Sequence, residues 1–246
     1  MEQLPLAMRL RERAVFDSYV AGPNAALVAQ LRAAAAHRRA APSIAAAAGG
    51  GMLWLTGPAG AGKTHLLQAV CMEARSAARS ALYLPVSELL GLGPAALAAW
   101  QEADVVALDE LERLIGAREW EQALFNLHRE AEQRQALLLV AATQPPARLS
   151  FALPDLASRC AGALLLVLQP IDEAAQREAL QRRARARGLE LPEQTARYLQ
   201  RRFRRDLPTL CRLLDTIDTA SLQAQRRLTV PFIRAVLAPA RSAHSA

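Results

Sequence analysis

The sequence predicts an α/β fold, in which helices cover both faces of a parallel sheet, followed by a small all-helical domain. Two observations predict this fold. Short, continuously apolar segments alternate with helix-like segments, which is typical of parallel strands buried on both sides. Beyond Pro170 the strand-like segments stop and only helix-like patterns follow. The strand-like segments are 52–56, 81–85, 105–108, 137–142 and 164–168, and the helix-like ones after them are 172–187, 192–205, 207–226 and 230–237.

Composition and charge exclude several classes of protein. The apolar runs have the length of strands, far short of the roughly 20 residues that cross a membrane, and no secretory-type apolar stretch opens the chain. We therefore expect a cytoplasmic protein with no membrane segment. The formal charge of +7 reflects arginines concentrated in the C-terminal third. These arginines indicate either a nucleic-acid surface or merely solvated helix faces, and no aromatic residues are interleaved to stack on bases.

The strongest functional signal is a glycine-rich loop between a strand-like and a helix-like segment. Its glycines let the backbone N–H groups turn inward towards phosphate oxygens, at the start of a helix. The pattern predicts that Lys63 reaches the β- and γ-phosphates and that the Thr64 hydroxyl binds Mg²⁺. Lys63 is also the single lysine of the chain, at a position where a guanidinium fits poorly. The predicted phosphate-binding residues are Gly57, Pro58, Ala59, Gly60, Ala61, Gly62, Lys63 and Thr64.

An acidic pair follows the third strand-like segment. A P-loop site needs a carboxylate at the end of a neighbouring strand to hold the metal, and we expect Asp109 to do this together with Thr64. Glu110 is then placed to orient or deprotonate an attacking water. The alternative is that Asp109 and Glu110 merely cap the following helix.

Two further residues are candidates for catalysis. Thr143 follows the fourth strand-like segment and could sense the γ-phosphate, although an ordinary strand-end hydroxyl is the alternative. Arg159 precedes the last strand-like segment. An exposed arginine there could act on a nucleotide bound by a neighbouring subunit, and the alternative is a surface ion pair.

The order of these motifs resembles the P-loop AAA+ ATPases and, within them, the DnaA replication-initiator family and its regulatory inactivators. The resemblance implies that Thr143 is the first sensor, that Arg159 is an arginine finger, and that residues 22–24 pack near the adenine. It covers nearly the whole chain. The segments that carry it are 16–24 (FDSYVAGPN), 62–67 (GKTHLL), 143–146 (TQPP), 153–159 (LPDLASR) and 228–232 (LTVPF).

The first residues resemble the short peptide by which such regulators dock on the replication sliding clamp, the beta subunit of DNA polymerase III. In that mode a glutamine fills a polar pocket and spaced apolar side chains fill a groove. The sequence departs from the usual form at Pro5 and Ala7. The residues that the resemblance assigns to clamp binding are Gln3, Leu4, Leu6 and Met8.

The resemblance and the change of pattern at Pro170 together predict four regions. Within the second of them, we expect the alanine-rich stretch 33–48 to be a loop or a frayed helix. The four regions are a flexible clamp-binding peptide (1–13), an AAA+ α/β nucleotide-binding domain (14–169), a helical lid domain (170–238) and a loose tail (239–246).

Two features separate the chain from the initiator itself. In the initiator a DNA-binding helix-turn-helix domain follows the lid, whereas this chain ends soon after its last helix-like segment, so we do not expect it to read an origin sequence. The second sensor, usually a lid arginine that contacts the γ-phosphate, falls at Pro208. Either Arg204, Arg205 or Arg212 replaces it, or the protein works chiefly in an ADP state. We favour the second hypothesis.

The resemblance thus implies a negative regulator of chromosomal replication initiation. With DNA-loaded clamp, it would promote hydrolysis of ATP bound to DnaA by supplying Arg159. It would bind ADP or ATP with Mg²⁺, be at most a weak ATPase by itself, and meet DNA mainly through the clamp. Two alternatives stay open, a helicase loader or replication recruiter that binds single-stranded DNA, and a stand-alone ATPase. The resident nucleotide and the formation of homo-oligomers also stay open.

Overall fold

The computed structural model describes residues 14–36, 52–100, 102–203, 209–211, 213–214, 216–217 and 229–237. The chain divides between Pro170 and Ile171 into two compact units. The N-terminal peptide and the tail that the sequence predicts lie outside the described residues. Among the described residues, no helix is both long enough and apolar enough to cross a membrane.

The first unit contains a five-stranded, wholly parallel sheet, which confirms the predicted fold class. The strands are β1 (Met52–Thr56), β2 (Ala81–Pro85), β3 (Val105–Asp109), β4 (Leu137–Ala142) and β5 (Leu164–Val167), in the spatial order β2-β3-β4-β1-β5. The helices of this unit are α1 (Ala25–Ala36), α2 (Lys63–Ser76), α3 (Val86–Leu89), α4 (Arg118–Arg134) and α5 (Pro154–Ala161).

The apolar strands form two cores because successive side chains point to opposite faces of the sheet. On one face, Leu53 and Leu55 pack in a buried cluster with residues of α1 and α2. On the other face, Met52 and Trp54 pack in a second cluster with residues of α4 and α5. Burial on both faces explains why β1, β3 and β4 read as continuous apolar runs, whereas Leu165 and Val167 of the edge strand β5 are exposed.

The first four residues of the alanine-rich stretch, 33–36, belong to the regular helix α1, which extends to Ala36. A buried arginine, Arg79, contacts this end of the helix: its Nη1 donates to Ala34 O at 3.0 Å and to Ala35 O at 2.8 Å. The last carbonyls of a helix lack intrahelical partners, and Arg79 supplies donors to two of them. The remainder of the stretch, 37–48, lies outside the described residues.

The described part of the second unit contains helices and no strand. Its helices are α6 (Glu173–Arg185), α7 (Glu193–Arg202) and α8 (Val230–Leu237). Asp172 caps α6 by accepting the Ala175 N–H at 2.7 Å. The described residues between 209 and 217 are also helical and supply Leu210, Leu214 and Ile217 to an apolar cluster with α6, α7 and α8.

A buried carboxylate fixes the loop that leads into α5. Glu121, in the first turn of α4, is fully buried. Its two carboxylate oxygens accept the backbone N–H groups of Gly116 at 2.7 Å, Ala152 at 3.0 Å and Leu153 at 2.7 Å. Helix α5 begins at the residue after Leu153, so Glu121 sets where α5 starts.

We therefore expect Glu121→Ala to lower the free energy of unfolding of the α/β unit by about 3 kcal/mol or more, because three backbone N–H groups lose a charged acceptor in a buried place. Urea denaturation followed by circular dichroism measures the loss. The matched control is Glu119→Ala, which removes the same charge from an exposed position in the same helical turn and should cost about 0.5 kcal/mol or less. Equal losses for the two variants would contradict this account of the loop.

Candidate functional site

The sheet register brings the candidate site residues to one edge. In this parallel sheet β4 lies between β1 and β3, and Thr56 at the end of β1 is paired with Ala142 at the end of β4. The glycine-rich loop follows Thr56, Thr143 follows Ala142, and Asp109 is the last residue of β3. The structure therefore brings together the loop, Asp109 and Thr143 at the carboxyl ends of three adjacent strands, where α/β proteins bind ligands.

The loop conformation requires glycine at two positions. Gly57 has φ +154°, and a Cβ there would lie 2.9 Å from both Cβ and O of Leu168. Gly62 has φ +93°, and a Cβ there would lie 2.6 Å from the ring of Tyr19. Helix α2 begins at Lys63, immediately after Gly62. The glycine-rich loop thus lies at the N-terminus of α2, where the helix dipole is positive and the first N–H groups have no intrahelical acceptor. This arrangement is typical of phosphate-binding sites.

The candidate metal ligands lie in contact. The Thr64 hydroxyl donates to Asp109 Oδ2 at 2.6 Å, and the Tyr83 hydroxyl donates to the same oxygen at 3.0 Å. Asp109 is buried. A hydroxyl and a carboxylate at this separation are hard oxygen ligands of the kind that Mg²⁺ prefers, so the residues present fit the ion. Tyr83 was not predicted from the sequence, and its hydrogen bond orients the carboxylate.

Burial and neighbouring charges shift the pKa of two groups of the site, Lys63 and Tyr83. Burial lowers the pKa of the Lys63 ammonium, and the carboxylates of Glu112 and Asp109 partly oppose this effect. Lys63 Nζ donates to Gly57 O at 2.7 Å and to Pro58 O at 3.1 Å. A bound phosphate would add negative charge beside this ammonium and favour its charged form.

For Tyr83, burial raises the pKa of the hydroxyl most, and the Asp109 carboxylate raises it further. The tyrosine therefore stays protonated and remains a hydrogen-bond donor at physiological pH. This keeps the Asp109 carboxylate held by two hydroxyl donors, one from Thr64 and one from Tyr83.

The structure places the two acidic residues after Asp109 differently. Glu110 has φ +60°, in the left-handed region that non-glycine residues seldom adopt, and its Oε2 lies 2.9 Å from Arg113 Nε. Glu112 Oε1 instead accepts the backbone N–H of exposed Thr143 at 3.3 Å. Glu112 was missed from the sequence. Its place in the short 3-10 turn Leu111–Arg113, directly after the acidic pair, is the signal that could have identified it.

The segment before α1 is attached to the glycine-rich loop by contacts over long sequence separations. The Tyr19 hydroxyl donates to Ala61 O at 3.0 Å, and burial raises the pKa of Tyr19 to about 12. His65 Nε2 lies 3.0 Å from Val15 O. The side chain of Asn24 both donates to and accepts from the backbone of Gln169, at 3.0 and 2.8 Å. The sequence indicated this segment only through the family resemblance.

Arg159 lies on α5, and its side chain contacts α4. Its Nη1 donates to Glu132 Oε2 at 2.8 Å, and its guanidinium carbon lies 5.0 Å from the centre of the Phe125 ring. The side chain is 34% exposed. Beneath it His128 is buried, and burial, with the charge of Arg159, lowers the pKa of that imidazole. Among the described residues the polar contact of Arg159 is with Glu132, as in the ion-pair alternative.

The remaining sequence-derived candidates lie outside the described residues. These are the clamp-binding residues Gln3, Leu4, Leu6 and Met8, and the second-sensor position Pro208 with its substitutes Arg204, Arg205 and Arg212.

Family models match both units of the chain. The ATPase family associated with various cellular activities (AAA) matches residues 53–166, and the bacterial DnaA ATPase domain matches residues 10–89. Together with the parallel sheet and the glycine-rich loop, these matches define the class: the chain is a P-loop protein of the AAA+ type. The model of the Hda lid domain matches residues 172–237. The chain is thus, more narrowly, an Hda/DnaA-like AAA+ protein.

Solved structures share this fold at low sequence identity. Domain III of the Thermotoga maritima replication initiation protein DnaA has a TM-score of 0.77 and 20% identity, and the match covers 94% of this chain and 98% of that one. For AMPPCP-bound DnaA from Aquifex aeolicus the TM-score is 0.65 at 19% identity, covering 85% of this chain and 66% of that one. The Thermotoga maritima RuvB Holliday junction branch migration motor has a TM-score of 0.55 and 22% identity, and the match covers 76% of this chain and 61% of that one.

The contact between Gly62 and Tyr19 leads to a prediction about stability. Gly62→Ala places a Cβ at 2.6 Å from the Tyr19 ring and also strains the backbone. Gly116 has almost the same conformation, φ +92°, with nothing within 4 Å of a Cβ. Gly116→Ala should therefore lower the free energy of unfolding by about 1–2 kcal/mol, through left-handed backbone strain alone. Gly62→Ala should lower it by about 1–3 kcal/mol more, because the new Cβ also clashes with the Tyr19 ring. Chemical denaturation of both variants measures the difference, and equal costs would mean that Tyr19 does not pack on the loop as described.

Proposed function

We propose that this chain regulates replication initiation by promoting hydrolysis of ATP bound to a DnaA-type initiator. The observation that carries the proposal is the combination of a DnaA-type ATPase domain with a lid of the Hda type in one chain. The proposal has three parts: a nucleotide site on this chain, an arginine presented to the partner's nucleotide, and a peptide that docks on the sliding clamp.

The nucleotide site would hold ADP or ATP with Mg²⁺. The loop from Gly57 to Gly62 and the start of α2 would bind the phosphates, Lys63 would bridge them, and Thr64 and Asp109 would hold the metal. The ion would neutralise phosphate charge. The 2.6 Å contact of Thr64 with Asp109 and the hydrogen bond from Tyr83 support this assignment, because they pre-arrange the oxygen ligands. One solved relative of this fold, DnaA from Aquifex aeolicus, is bound to AMPPCP.

Turnover at this chain's own site would be slow. Glu110, the residue expected to activate water, pairs with Arg113, and the second-sensor position holds Pro208, whose side chain donates no hydrogen bond. We propose that Glu112 and Thr143 line the γ-phosphate side of the site, since Glu112 accepts the Thr143 N–H. The chain would then work chiefly in an ADP state.

Arg159 would act in trans. Its guanidinium contacts α4 rather than the glycine-rich loop of its own chain, and it is partly exposed. Such an arginine can approach the γ-phosphate of ATP on a neighbouring AAA+ subunit and stabilise the charge that develops in the transition state. Arginine fingers of this kind accelerate NTP hydrolysis by about 10³- to 10⁵-fold.

The test is ATP hydrolysis on the cognate initiator, with and without this protein, in the presence of ADP and DNA-loaded clamp. We expect the wild-type protein to accelerate hydrolysis and Arg159→Ala to lose most of that acceleration, on the order of 10³-fold, because the finger is absent. The variant should still bind nucleotide, which fluorescent ADP reports. Arg148→Ala, an exposed arginine on the same unit, is the matched control for loss of positive charge.

Two outcomes would reject the proposal. Undiminished acceleration by the Arg159→Ala protein would remove the finger role. No acceleration by the wild-type protein, with initiator and clamp shown to be active, would reject the regulator function and favour a helicase loader. A loader would instead show single-stranded DNA affinity that falls steeply with salt.

The clamp-binding part has a test of its own. Gln3→Ala together with Leu4→Ala should abolish binding to the purified clamp, because the first loses the polar anchor and the second an apolar one. Arg159-dependent acceleration should then no longer respond to DNA-loaded clamp, while the melting temperature stays unchanged. Glu2→Ala is the control within the same peptide. Clamp affinity that survives the double substitution would place the docking site elsewhere.

A further inference from the structure

The side chains of α4 that lie next to Arg159 share one face of that helix. Phe125, His128 and Glu132 are spaced by three and four residues, so they lie in one stripe of the 3.6-residue helix. Arg159 reaches this stripe from α5 and meets the ring of Phe125 and the carboxylate of Glu132. Both the aromatic ring and the carboxylate thus contact the guanidinium of Arg159.

The contact with Glu132 has a chemical consequence for a finger. A guanidinium binds a phosphate through the same N–H donors that bind a carboxylate, usually two at a time. Nη1 of Arg159 is already engaged by Glu132 at 2.8 Å. A phosphate that approaches this edge of the guanidinium therefore competes with the Glu132 carboxylate for Nη1.

We propose that Glu132 is a positioning residue that keeps Arg159 against α4 and competes with the partner's phosphate for it. This inference rests on the proposed function, in which Arg159 acts on ATP held by another subunit. Glu132 acts only through Arg159 and does not touch the nucleotide. It sets how readily Arg159 leaves α4, and so it lowers the rate of stimulated hydrolysis.

The exposure of the two side chains sets how strongly Glu132 holds Arg159. The side chains of Arg159 and Glu132 are 34% and 41% exposed, so water and salt screen their attraction. Pairs of this kind shift an equilibrium by a factor of about two to five, which is the expected gain when the pair is removed.

The experiment compares Glu132→Gln with the wild-type protein in the stimulated hydrolysis assay, at concentrations well below saturation. The initial slope of rate against concentration should rise about two- to fivefold, because Arg159 no longer has to leave a carboxylate. Glu130→Gln is the matched control: it removes the same charge from the same helix, where Glu130 pairs with Arg129 at 3.4 Å, and its slope should stay at the wild-type value.

A double-mutant cycle tests whether the gain in Glu132→Gln depends on Arg159. In the Arg159→Ala background, Glu132→Gln should leave the slope unchanged, because its action passes through Arg159. The inference is overturned if Glu132→Gln leaves the slope at or below the wild-type value, if Glu130→Gln raises it equally, or if the gain persists without Arg159. Each of these results leaves the finger role intact, since that role depends on the loss in Arg159→Ala alone.

A second measurement needs no partner. Phenylglyoxal modifies arginine guanidinium groups, and mass spectrometry of the peptide that contains residue 159 follows this one site in the full-length protein. Arg159 should react about two- to fivefold faster in Glu132→Gln than in the wild-type protein or in Glu130→Gln. An unchanged rate would show that Glu132 does not hold Arg159, whether or not the proposed function stands.

Discussion

The candidate nucleotide site depends on the position of β1 in the sheet. Because β1 is inserted between β4 and β5, the loop that follows it emerges beside the end of β4, one strand away from the end of β3. Backbone hydrogen bonds between parallel strands fix this register, and a slip by one residue would turn every buried strand side chain to the other face. The register thus sets both the two cores and the 2.6 Å contact of Thr64 with Asp109.

The fold was predictable because its signals are local and repeated. Continuous apolar runs and helical periods identify a parallel sheet with helices on both faces, and the glycine-rich loop needs only neighbouring residues to be recognised. The contacts that complete the site join residues far apart in sequence. Tyr83 on Asp109, Tyr19 on Ala61 and Asn24 on Gln169 are side-chain interactions that depend on how elements pack, which no local pattern encodes.

Charge placement around Lys63 and Glu110 shows why residue roles are harder to predict than motifs. A sequence pattern places an acid next to Asp109, but the left-handed backbone of Glu110 turns that acid to Arg113. The next acid, Glu112, acts together with Asp109 on Lys63, and the two carboxylates oppose the lowering of its pKa by burial. The contacts of these carboxylates thus depend on packing and on the backbone angle at Glu110, neither of which sequence spacing alone contains.

The buried guanidinium of Arg79 also bears on how this architecture tolerates change. By holding the end of α1 through Ala34 and Ala35, Arg79 fixes the point from which the chain departs towards β1. The segment from Val15 to Asn24 has hydrogen bonds of its own, to Ala61, His65 and Gln169. Changes to the chain after residue 36 are therefore expected to leave these hydrogen bonds in place.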